Sequence, residues 1–103
     1  MAYGKNAEEK LRKHSQHIRE TARELGIEVP KKPGRPETFA AMDDFINKVL
    51  SEGTTKAGKY MTIEDALWSK LGNALVIRRP NGEFLTFLDY SKGGVAKGWD
   101  LLP

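Results

Sequence analysis

With 103 residues, 39% of them hydrophobic, the chain has room for one domain with a modest core that needs no disulfide or metal staple. It has no cysteine, which excludes disulfides, thiolate metal sites and a cysteine nucleophile, and it has no apolar run near the ~18 residues of a membrane span, so a soluble cytoplasmic protein is expected. The net charge of +3 is unevenly spread: residues 1 to 36 hold nine Lys/Arg against five Asp/Glu, residues 37 to 70 hold four against six, and residues 71 to 103 hold four against three.

In chain order, Asn6 with Glu9 forms a capping-box pattern, and Leu11, His14, Ile18, Ala22 and Leu25 then recur at helical spacing up to a stop at Gly26. One helix with a narrow apolar stripe is expected. It docks on the rest of the domain or pairs with a second copy in a homodimer. His14 and His17 could share a metal at this spacing, but there is no cysteine and no third histidine, so no metal site and no cofactor are expected.

The connector from Ile27 to Pro36 carries Lys31, Lys32 and Arg35 between two prolines and a glycine, a stiff extended shape suited to a phosphate backbone. Gly34-Arg35-Pro36, with Lys31 and Lys32 as a basic flank, resembles an AT-hook, a family motif that lies in the minor groove of AT-rich DNA. Pro33 stands where that motif has its first core arginine, and Glu37 stands where it has a further cation. The resemblance implies a DNA contact through the connector.

Pro36 opens a second helix in which Phe39, Met42, Phe45, Ile46, Val49 and Leu50 form a wide apolar face ending at Gly53. Gly53 to Lys59 is expected to be a flexible loop. It fits the first seven places of a Walker A phosphate loop, but Tyr60 occupies the eighth, where a magnesium-binding hydroxyl belongs, so nucleotide hydrolysis is not expected. Thr62 with Asp65 opens an expected third helix carrying Ile63, Ala66, Leu67 and Leu71 and closed by Gly72.

The period then changes to two. Leu75 to Arg79 and Glu83 to Leu88 flank Pro80-Asn81-Gly82, a β-hairpin pattern in which Leu75, Ile77, Leu85 and Phe87 are expected to share the face that packs on the helices. The tail from Ser91 is glycine-rich, with Trp99, Leu101 and Leu102 as its anchors.

The fold class expected is therefore α+β: three helices followed by a C-terminal hairpin, in the order of a winged helix. Residues 1–36 form a basic helix and connector, and residues 37–103 a small helical core with hairpin and tail. No Ser/His/Asp set can be built from two histidines on one exposed helix, so the protein is expected not to be an enzyme. Two functions remain open. One is a nucleic-acid-binding accessory or regulatory protein that uses Lys10, Arg12, Lys13, Arg19, Arg23, Lys31, Lys32 and Arg35, with Arg78 and Arg79 as a second patch, to contact DNA phosphates. The other is a protein-interaction module or inhibitor, of the kind mobile elements encode, that docks through the first helix or through Tyr60, Trp68, Tyr90 and Trp99.

Overall fold

The wide apolar face of residues 39 to 50 builds the longest helix of the chain. In the computed structural model, which describes Met1–Pro103, helix α3 runs Pro36–Glu52 after α1 (Ala7–Lys13) and α2 (Ser15–Glu24). Four strands follow, β1 (Thr54–Tyr60), β2 (Ile63–Leu71), β3 (Ala74–Arg78) and β4 (Phe84–Asp89), then short 3-10 segments at Tyr90–Lys92 and Gly94–Leu101. The strands form one antiparallel sheet in the order β1-β2-β3-β4. The fold is α+β, with its strands after its helices. No helix is long and apolar enough to cross a membrane.

The sheet is covered on both faces. Leu11, Ile18 and Ala22 from the N-terminal helices and Met42, Phe45, Ile46 and Val49 from α3 pack with Val76, Phe84 and Phe87 on one side. Ala66, Trp68, Leu75, Ile77 and Ala96 form a second cluster on the other side, closed by Tyr60, Trp99 and Leu102. The stripe offered to a homodimer is thus used within the chain.

Several expectations change at this level. The first helix is broken at His14, whose backbone (φ −106°, ψ 10°) leaves the helical region while its N–H bonds Leu11 O at 3.2 Å and its ring lies edge-on to Phe84. The break therefore coincides with a contact to β4, far away in sequence. The capping box does not form, because Asn6 sits in the left-handed region (φ 58°) with no side-chain bond.

The expected loop and third helix are instead strands β1 and β2. Tyr60 pairs with Ile63 across Met61-Thr62, a two-residue hairpin turn with Met61 at φ 54°. Ala66 and Trp68 then point to the second cluster while Leu71 joins the first, the alternation of a strand rather than a helix stripe.

The hairpin of β3 and β4 forms, but its faces differ from expectation. A bulge between Ile77 and Arg78 puts Val76 opposite Phe87, and these with Phe84 face the helices, while Leu75 and Ile77 face away. The tail is packed rather than loose, with Trp99 and Leu102 as anchors and Leu101 left 87% exposed. Two glycines admit this layer. A Cβ on Gly58 would stand 2.2 Å from Leu102 Cδ2, and one on Gly98 would stand 3.0 Å from Trp68 Cη2.

Tyr3 ties the N-terminal segment to α3, its hydroxyl donating to Asp43 Oδ1 and its ring packed edge-on between Phe39 and Phe84. Burial first, and then the bond to Asp43, pushes the phenol well above its ordinary pKa. Because the folded value is the higher one, the stability tied to the neutral phenol is complete below the unfolded value of about 10 and is lost as pH rises through and beyond it. Tyr3→Phe should therefore flatten the alkaline limb of a urea-midpoint profile between pH 8 and about 11. Parallel profiles for the two proteins would refute this.

Candidate anion-binding cleft

Arg12 on α1 and Arg19 on α2 face the same cleft across the break at His14. The connector crosses in front of them. It is pinned by buried Val29 and turned by Gly34, whose φ of +76° is open to glycine at little cost. Arg35 is the extended residue (φ −93°, ψ 138°) before α3, and Pro36 takes the first helical position. Between these walls lies a cleft of about 320 Å³ lined by Arg12, Arg19, Lys31 and Arg35, with Thr38, Phe39 and Met42 from α3.

The four cations form no ion pair and no hydrogen bond with any protein group, and Glu8 is the one carboxylate in the lining. Like charges brought together without a counter-charge repel one another, and a bound anion would relieve the repulsion. Two features of α3 add to this. Thr38 and Phe39, in the first turn at the positive end of its 17-residue dipole, line the cleft, although their N–H groups already donate to Arg35 O. Thr38 is 4% exposed, and its Oγ1 is buried without a partner. The arrangement can hold a phosphate against guanidinium groups with an apolar surface, Phe39 and Met42, beside it.

The other cations considered for nucleic acid are placed elsewhere. Lys10 donates to Tyr3 O at 2.8 Å, and with Lys13 it borders a shallow depression next to Arg12. Arg23 lies 4.0 Å from Glu28, Arg79 lies 3.7 Å from Glu83, and Lys32 is exposed outside the lining. Arg78 ends β3, half-buried, with its Nε buried and unpartnered. Burial, then Lys13 and His17, hold the His14 pKa below the ordinary imidazole value.

Of the aromatic residues considered for protein docking, Tyr60, Trp68 and Trp99 belong to the second cluster, and Tyr90 lies outside both clusters. Trp68 is 3% exposed, with Nε1 donating to Gly58 O at 3.2 Å, and Tyr60 packs edge-on against it. Tyr90 is half-buried, donates to Asp100 at 2.7 Å and has the ammonium groups of Lys70 and Lys97 over its ring at 4.6 and 3.8 Å. Lys56 covers Trp99 at 4.7 Å.

Thr38 was missed by the sequence reading. Its one signal is a hydroxyl residue four before Met42 on the buried stripe of α3, at a position where an apolar side chain would continue that stripe. No protein-family model, no curated protein and no solved structure matches the chain.

Proposed function

We propose that the chain is a small non-enzymatic nucleic-acid-binding accessory or regulatory protein that seats a stretch of nucleic-acid backbone along the cleft between the N-terminal helices and α3, one phosphate to each of its four cations. The observation that carries this reading is the convergence of four unpaired cations from three segments, α1, α2 and the connector. Phe39 and the adjoining prolines give a nucleotide base or sugar an apolar surface next to the phosphate. In this reading the hook-like connector is the rim of the cleft, so contacts are to the backbone and carry no base preference.

Fluorescence anisotropy against AT-rich duplex, GC-rich duplex and single strand, at two salt concentrations, tests it. Four phosphate contacts on duplex DNA give a log-log salt slope of about −3.6, which is roughly a hundredfold loss between 50 and 200 mM salt. Absence of binding at the lower salt would refute the proposal. A preference for the AT-rich duplex would move the contact from the cleft to the connector acting as a hook in the minor groove.

A further inference from the structure

Outside the lining of the cleft, one ligand-capable atom from each of His17, Glu20 and Asp89 lies within 4.8 Å of the other two. Residues 17 and 20 are three apart on α2 and so share a face, and Asp89 ends the edge strand β4 against which that helix packs. No two of the three groups hydrogen-bond to each other. His17 Nδ1 and Glu20 Oε1 are buried without any partner, and Asp89 is 4% exposed. Buried polar atoms are nearly always satisfied, so two unpartnered ones on residues clustered with a buried carboxylate leave lone pairs free for a cation.

We propose that His17, Glu20 and Asp89 bind a first-row divalent cation of the zinc class, joining α2 to β4. One imidazole nitrogen with two carboxylate oxygens suits Zn²⁺, whereas Ca²⁺ and Mg²⁺ favour all-oxygen sets of six or more. Asp89 is already oriented for this. Its Oδ1 accepts from Ser91 N–H at 2.9 Å and Ser91 O–H at 2.6 Å, the outer hydrogen bonding that fixes a ligating carboxylate and leaves the second oxygen free. Bonds of about 2.0–2.2 Å in a tetrahedral site need ligand atoms roughly 3.5 Å apart, a closure that rotation of the Glu20 side chain can supply. With three protein ligands the fourth position is left to water.

The site is separate from the cleft reading and is tested without nucleic acid. Chelator-stripped protein titrated with Co²⁺ should develop the intense visible bands of a four-coordinate site at one equivalent, bleached by Zn²⁺, and Zn²⁺ should raise the thermal midpoint. Glu20→Gln and His17→Ala should each weaken Zn²⁺ binding by at least about a hundredfold, beyond the 10–100-fold that loss of an outer partner costs. His14→Ala should leave binding unchanged. No cobalt bands and no thermal shift from the unaltered protein would overturn the proposal, and so would binding that His14→Ala abolishes and Glu20→Gln does not.

Discussion

Phe87→Ala should lower the free energy of unfolding by about 3–5 kcal/mol, the range for deleting a fully buried aromatic side chain. Phe87 is fully buried, sits opposite Val76 on the helix side of β4, and has its ring centroid 6.3 Å from that of Phe45 on α3. It is therefore a point where strand, helix and neighbouring strand meet. A domain of this size is stable by only about 5–15 kcal/mol, so the variant loses a large fraction of the whole. In urea unfolding the midpoint should fall by at least about 1 M, with an unchanged slope. Leu85→Ala is the control, because that half-buried side chain lies with the second cluster and its truncation leaves the helix-facing core intact. Equal losses for the two variants would show that the bulge does not separate the faces as described.

Arg12→Ala combined with Arg35→Ala should remove half the charge of the cleft and reduce the duplex salt slope from about −3.6 to about −1.8. Between 50 and 200 mM salt the double variant would then lose only about tenfold in affinity, where the unaltered chain loses roughly a hundredfold. Both side chains are exposed and form no ion pair, so the fold does not depend on them. The matched control is Arg79→Ala, a cation already opposite Glu83 at 3.7 Å and outside the cleft, which should leave the slope unchanged. If Arg79→Ala changes the slope as much as the double variant, binding is spread over the surface rather than seated in the cleft.

The parts legible in sequence were those whose determinants are local. The α3 stripe from Phe39 to Leu50 is wide and bounded by Pro36 and Gly53, and it forms as read. Pro80-Asn81-Gly82 turns the chain as read, with Gly82 at φ 93°. Residues 54 to 71 were not legible, for two physical reasons. Ile63, Ala66, Leu67 and Leu71 match a helix period by coincidence, and the turn that makes them a strand places Met61, rather than a glycine or asparagine, at positive φ. Edge strand β1 holds lysines and small residues because only one of its sides pairs, so it looks like a loop. The faces of β3 were illegible because all of Ala74, Leu75, Val76 and Ile77 are buried, which leaves no alternation to orient.

The candidate sites divide in the same way. The cations of the cleft could each be named from the sequence, while their convergence depends on the left-handed turn at Gly34 and the docking of α2. For His17, the partner read from the sequence is His14, although Glu20 lies at the same helical spacing on the other side. The structure turns His14 toward Phe84 and brings Asp89 from the other end of the chain instead.

Every neighbour in the sheet is also a neighbour in sequence, whereas α1 and α2 close the core against α3, β3 and β4, the strands lying far along the chain. Short-range pairings form fast and long-range closures late, so the meander and α3 are expected to lead folding, with the N-terminal helices arriving last. The cleft, with one wall on those helices, would then be absent from the folding transition state. A bound polyanion should accordingly slow unfolding while leaving the refolding rate nearly unchanged, an asymmetry that stopped-flow measurements with and without oligonucleotide would reveal.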